Sequence, residues 1–175
     1  MKKEIVKNIF SDQKDTNIAL TSENNSPLLF KDLKDLANKI SRQLSGNQIS
    51  NKDRAAIILP NGPYMASSFL AISSYMSAAP LNPNYKSDEY EFYLNDLKPK
   101  IVLVEPNSTN SAVAVAKKLK IPVCEIKIKK NQPTGFFDLF NKENNFNEPN
   151  ENDEALVLHT SGTTSRPKIV PLTNR

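Results

Sequence analysis

Cysteine is almost missing from this sequence: Cys124 is the single thiol in 175 residues. One thiol excludes an internal disulfide framework. Cys124 sits in the strand-like run "IPVCEI" with no histidine near it, so it reads as buried packing and not as a nucleophile. Histidine is as scarce, with His159 alone. Its ring invites a catalytic role because imidazole titrates near neutrality. No acidic partner is evident along the chain, so His159 reads as a strand end bonded to its neighbours. Excess charge is small as well: 23 Lys and Arg against 19 Asp and Glu leave +4. The nearest approach to a basic cluster, Lys127-Ile128-Lys129-Lys130, reads as a solvated edge or loop. Nucleic-acid binding calls for a denser basic stripe interleaved with aromatics, and no nucleic-acid partner is expected.

Long apolar runs are missing too. "MKKEIVKNIF" is positively charged, but Glu4, Lys7 and Asn8 interrupt any apolar core, so no signal peptide is expected. The uncharged stretch between Arg54 and Lys86 has its best spanning candidate between Pro63 and Pro80. That candidate is short and rich in serine, whereas a membrane helix takes about 20 mostly apolar residues. It reads as a buried core helix, with no membrane span and a cytoplasmic setting. What is present, 38% hydrophobic and 24% charged residues, is the composition of a globular domain with a core.

The elements alternate. "NIALTS" and "PLLF" read as two short strands around the turn "ENNS". "KDLKDLANKISRQL" places Leu33, Leu36, Ala37, Ile40 and Leu44 on one helical face, with Gly46 as its stop. "RAAIILP" is apolar throughout, as a strand buried on both faces of a parallel sheet would be. The turn signal Pro60-Asn61-Gly62-Pro63 leads into the uncharged helix "YMASSFLAISSYMSA", with proline at its first position. "APLNPNY" is a strand and turn. Ser87 is the expected cap of "DEYEFYLNDL", whose early acids suit the helix dipole. The strand "KIVLV", the helix "SAVAVAKKLK" and the strand "IPVCEI" follow. Strands separated by helices of this length predict an α/β fold, a doubly wound, mostly parallel sheet with flanking helices. Residues 127–153 turn polar, with Pro133, Gly135 and Pro149 as breakers. They read as a surface connection, in which "GFFDLF" is an apolar island forming a helical turn on the core.

The strand Glu154–Leu158 then opens into "HTSGTTSRPKIVPLTNR". Hydroxyls, backbone N–H groups and an ammonium are what proteins use to hold polyphosphate. Thr160, Ser161, Thr163, Thr164 and Ser165 each carry a donor. Gly162 allows close backbone approach, and Lys168 adds a mobile point charge. A Walker-type loop fails here: from Gly162, its second glycine falls on Pro167 and its Mg²⁺-ligating hydroxyl on Ile169. Ile169, Val170 and Pro171 also read as a strand, so the loop joins strand to strand without a helix behind it. A serine- and threonine-rich hairpin with no ligand is the plain alternative.

"TSGTTSRPK" resembles the phosphate-binding signature of the adenylate-forming (AMP-binding) enzymes, the acyl-CoA synthetases and ligases. "FKDLKDLANKISRQL", "DRAAIILPNGPYMASSFLAISSYMSAAPLNPNY" and "EFYLNDLKPKIVLV" follow that family's N-terminal order, so the resemblance covers most of residues 26–175. "SGTTSRPK" followed by "VPLT" resembles the oxalate–CoA ligase and peroxisomal-CoA-synthetase-like branch. The resemblance implies a two-step reaction. A carboxylate attacks the α-phosphate of ATP to give acyl-adenylate and pyrophosphate, and a thiol, usually that of coenzyme A, displaces AMP. Thr160, Ser161, Gly162, Thr163 and Thr164 would cradle the β- and γ-phosphates, with Ser165 at the tip, Lys168 assisting and Mg²⁺ sharing the charge. The same logic makes the loop mobile.

The family usually has glycine where Ser165 and Ile169 stand. A β-branched Ile169 is then expected in extended strand, its side chain turned from the nucleotide. Asp153 and Glu154 read as a strand entry and not as Mg²⁺ ligands. The resemblance also implies that the acid pocket and the catalytic residues lie downstream of Arg175. Residues 1–175 are accordingly expected to be an incomplete AMP-binding N-terminal domain, inactive alone. Its parts would be an α/β subdomain (26–126), a surface connection (127–153) and a strand–loop–strand unit (154–175). Its final strands are expected to expose an edge and apolar faces. A stand-alone non-catalytic nucleotide-binding module, or a remnant without ligand, are the alternatives.

Overall fold

Two strands with no polar side chain in their interiors set the architecture. β3 (Arg54–Ile58) and β5 (Ile101–Val104) pair in parallel and are buried residue after residue. Side chains alternate across a strand, so two cores result. Ala55, Ile57, Ile101 and Leu103 pack on one face, and Ala56, Ile58, Val102 and Val104 on the other. The computed structural model describes residues 5–23, 25–160 and 167–175. On the first face lie α2 (Phe30–Gly46) and α3 (Pro63–Ser73); on the second lie α4 (Ser87–Leu97) and α5 (Ser111–Lys118). With β4 (Ser77–Pro80), β6 (Val123–Glu125), β7 (Glu154–Thr160) and β8 (Lys168–Thr173), the sheet runs β6-β5-β3-β4-β7-β8. All its pairings are parallel except β7 with β8. This is the expected doubly wound α/β sheet. A separate hairpin, β1 (Ile18–Ser22) and β2 (Asn25–Leu29), and the short α1 (Lys7–Ser11), not anticipated from the sequence, precede it.

Helix periodicity located α2 well: Leu33, Leu36, Ala37, Ile40 and Leu44 are all buried. Its first turn is closed by Asp32, whose Oδ2 accepts the Leu29 N–H at 3.1 Å. Gly46 does not end the helix through its own backbone freedom. It is the last helical residue, and the left-handed turn falls later, at Gln48 with φ 61°. Glycine is needed because a Cβ at 46 would meet the Lys142 carbonyl oxygen at 2.6 Å.

Three other expectations are corrected. The helix after Pro63 stops at Ser73 and not near Ala78. The hydroxyls of Ser73 and Ser74 donate to the Phe69 and Leu70 carbonyls at 2.6 Å, side-chain competition of the kind that loosens helix ends. This lets Ser77 start β4. Ser87 is inside α4, not its cap; the residue at the cap is Lys86, whose N–H donates to Glu89 Oε2 at 2.8 Å.

"GFFDLF" is irregular and not helical; Asp138 forms an isolated antiparallel bridge with Lys127. The expected surface connection is mostly exposed but is stitched to α2 at this point. Phe137 and Leu139 are buried in the core. The Gln43 amide donates to Asp138 at 3.0 Å, and its oxygen accepts the Leu139 N–H at 2.8 Å. Lys39 and Lys129 complete an ion-paired cluster on the buried Asp138 carboxylate.

Candidate functional site

In an open α/β sheet, ligands gather outside the carboxyl ends of the parallel strands. β3, β4, β5 and β7 all end on one edge here, and the hydroxyl-rich segment leaves β7 at that edge. The last inter-strand rungs are fixed by register: Leu158 with Val170, His159 with Ile169, and Thr160 with Lys168. Thr160 and Lys168 are therefore direct cross-strand partners, both exposed, and Thr160 Oγ1 lies 3.5 Å from the Lys168 carbonyl oxygen. β8 runs antiparallel to β7 across this rung. Ser161, Gly162, Thr163, Thr164 and Ser165, the other expected phosphate contacts, lie outside the described residues. Ile169 is extended in β8, and its side chain packs against the α4/α5 core.

The neighbour of this rung is a residue whose partner sequence reasoning missed. His159 Nε2 lies 3.0 Å from Asp96 Oδ2 on α4. The His159 side chain is only 6% exposed, that of Asp96 40%. Tyr93, one turn earlier on α4, meets the imidazole edge-on at 4.7 Å between centroids. Tyr93 is in turn stacked on Tyr85 at 4.8 Å. The hydrogen bond with Tyr93, helped by burial, pushes the Tyr85 phenol up to about 12. Asp96 stands far from His159 along the chain, and only the placement of β7 beside β4 brings α4 over it. No local pattern announces that.

The opposite edge differs in kind. A cleft of about 470 Å³ there is lined by Lys52, Arg54, Ser77, Asp153 and Glu154. Four of its charges are already paired: Arg54 makes a two-pronged pair with Glu154, at 2.7 and 2.8 Å, and Lys52 pairs with Asp153. Burial pushes both carboxyls up, but these partners outweigh it and hold them below their ordinary values. Arg54 opens β3 and Glu154 opens β7, so the pair clamps the two strands across β4. Asp153 and Glu154 are thus used in a strand entry, as expected. Cys124 is buried, and burial pushes its thiol up to about 11, which suits packing and not attack. Among the described residues no three or more His, Cys, Asp or Glu are grouped to hold a metal. Among them, too, no helix is long and apolar enough to cross a membrane.

A mostly parallel sheet with helices on both faces defines an α/β protein. The particular family is given by comparison. The profile of the family described as AMP-binding enzyme matches residues 10–175. The chain is 37% identical over 139 residues to an oxalate–CoA ligase of Arabidopsis thaliana, covering 76% of this chain and 27% of that protein. It is 34% identical over 152 residues to "Probable CoA ligase CCL9" of Humulus lupulus, covering 81% and 28%. Its fold matches apo MatB from Rhodopseudomonas palustris with a TM-score of 0.79 at 21% identity, over 99% of this chain and 35% of that one. The chain belongs to the AMP-binding enzyme family. It spans little more than a quarter of the length of these curated relatives.

Proposed function

We propose that this chain supplies the triphosphate-holding part of an ATP-dependent carboxylic acid–coenzyme A ligase. In this reading ATP and the acid give acyl-adenylate and pyrophosphate, and the thiol of coenzyme A then takes the acyl group and releases AMP. Thr160, Ser161, Gly162, Thr163, Thr164 and Ser165 hold the β- and γ-phosphates through hydroxyl and backbone donors. Lys168 adds a positive charge against the leaving pyrophosphate. The reading is carried by one observation: Thr160 and Lys168 stand opposite each other, exposed, where β7 and β8 leave the carboxyl edge of the sheet. An exposed hydroxyl and an ammonium suit an anionic ligand, and no carboxylate within ion-pair distance of Lys168 is present among the described residues to compete for it. Mg²⁺ fits as an ion carried on the phosphates, a hard cation that keeps most of its oxygen ligands from water and substrate. The similarity to an oxalate–CoA ligase makes a small dicarboxylic acid the first substrate to try. A cytoplasmic setting, with ATP and coenzyme A at hand, belongs to the same reading.

The test is Mg-ATP binding to the purified chain by calorimetry, with Lys168→Ala beside it. A hydrogen bond to a charged group is worth about 1.5–3 kcal/mol, so the variant is expected to bind roughly ten- to a hundredfold more weakly. Equal affinity of the two proteins refutes the assignment of Lys168. A carboxylate-dependent ATP–pyrophosphate exchange assay run alongside separates nucleotide holding from adenylate formation: binding without exchange is the outcome expected for these residues by themselves.

A further inference from the structure

We propose that His159 and Asp96 form a positioning pair that fixes the Thr160–Lys168 rung in the orientation needed to receive phosphate. This rests on the reading of that rung as a phosphate-binding root. His159 and Ile169 are cross-strand partners, one residue inside Thr160 and Lys168 respectively. They form the last rung whose side chains face the α4/α5 core. Alternation turns the next rung, Thr160 with Lys168, to the other face. The direction of the candidate phosphate rung is therefore set by how firmly the rung beneath it is seated.

Ile169 is seated by packing alone. His159 is seated by packing on Tyr93 and by the 3.0 Å contact with Asp96. An ionised carboxylate only accepts, so Nε2 carries the hydrogen and the ring is held in one tautomer and one orientation. Tyr93 is itself held by its stack on Tyr85, so the imidazole meets a fixed wall and not a mobile ring. Among the described residues β8 is the edge strand of the sheet, with a partner on one side only. Without an anchor on β7, the end of this ribbon is free to twist away from the edge. Fixing it beforehand removes part of the ordering cost of binding. His159 touches no reacting atom in this scheme; it acts through Thr160.

The test uses the 175-residue chain and four variants. Asp96→Ala removes the acceptor from an exposed helix position. His159→Phe keeps the aromatic packing and loses the donor. His159→Gln keeps a donor near the place of Nε2. Asp96→Asn keeps an acceptor without charge. The first readout needs no ligand: amide hydrogen exchange at Thr160 and Lys168, with β3 and β5 as internal reference. Asp96→Ala and His159→Phe are expected to speed exchange at the rung about tenfold and leave β3 and β5 unchanged, while His159→Gln and Asp96→Asn restore most of the protection. As the chain's one histidine, His159 also gives a single set of imidazole NMR signals, which must shift in Asp96→Ala. The second readout is Mg-ATP affinity, expected to fall by a similar factor in the first two variants and to recover in the conservative ones.

Unchanged exchange at the rung, or loss of protection spread through the whole sheet, overturns the proposal. So does faster exchange with unchanged Mg-ATP affinity, which would leave the pair a packing element only. If the unaltered chain fails to bind Mg-ATP, the phosphate reading falls, while the exchange data still decide whether the pair positions the rung.

Discussion

Asp138 shows how a single side chain ties a distant segment to a helix. Burial pushes its carboxyl up, but hydrogen bonds from Lys129, Lys39 and Gln43 outweigh that and hold it at about 2, against an ordinary 3.8. A carboxyl depressed in the folded state stabilises above its unfolded pKa and loses that contribution as pH falls towards the folded value. The stabilisation is therefore complete above about pH 4 and drains away between there and pH 2. Asp138→Asn keeps an acceptor for Gln43 and discards the charge. A loss of about 1.5–3 kcal/mol at neutral pH is expected, the range for hydrogen bonds to charged groups. Urea midpoints read it, and the gap between the two proteins should close as pH drops from 4 to 2. A gap that persists at pH 2 would show that shape and not charge holds the segment. None of this was legible in "GFFDLF". The residues advertise an apolar island, but the acid between them is explained by lysines on α2 and after β6.

At the scale of elements, periodicity carried most of the fold. The apolar face of α2, the doubly buried β3 and β5, and the proline at the start of α3 lie where local pattern put them, because each reports burial that repeats along one element. Ends were less legible, since they depend on what arrives from elsewhere. Gly46 is the clearest case. Its sequence meaning is helix termination, and its structural meaning is close passage of the backbone at Lys142 and Glu143. Close passage and an ordinary helical position predict opposite outcomes for Gly46→Ala. As an ordinary helical position, alanine would stabilise by about 1 kcal/mol. A Cβ lying 2.6 Å from the Lys142 oxygen and 2.9 Å from its carbonyl carbon meets backbone that cannot rotate aside. Overpacking of that kind costs about 1–3 kcal/mol. A lower urea midpoint is expected, with faster proteolysis between residues 140 and 147 as that strip lifts from α2. A raised midpoint would make Gly46 an ordinary helical position with room for a side chain. The candidate site was legible to the same degree. Thr160 and Lys168 could be named from their chemistry, but the Asp96 partner of His159 depends on strand order, which no local window contains.

For the whole molecule, the sheet is covered unevenly. α2 and α3 shield one face over β3, β4 and β5, and α4 and α5 shield the other as far as β7. Towards β8 the first face is bare among the described residues. Leu158 and Leu172 are 41% and 44% exposed, and register places them on one face with Leu156 and Val170. Among the described residues the outer side of β8 also has no strand partner in the sheet. An apolar strip beside an open strand edge invites pairing with another chain. Pro171 blunts that edge by removing one N–H, but the side chains remain. Leu158→Lys with Leu172→Glu keeps the hairpin, because neither residue loses much burial and the two charges lie diagonally on one face. Surface changes of this kind move stability by about 0.5 kcal/mol or less. Sedimentation velocity over a range of concentrations should show the parent chain self-associating more strongly than the double variant at equal thermal midpoints. Equal association by both proteins would mean that contact runs through the backbone edge and not the leucine strip.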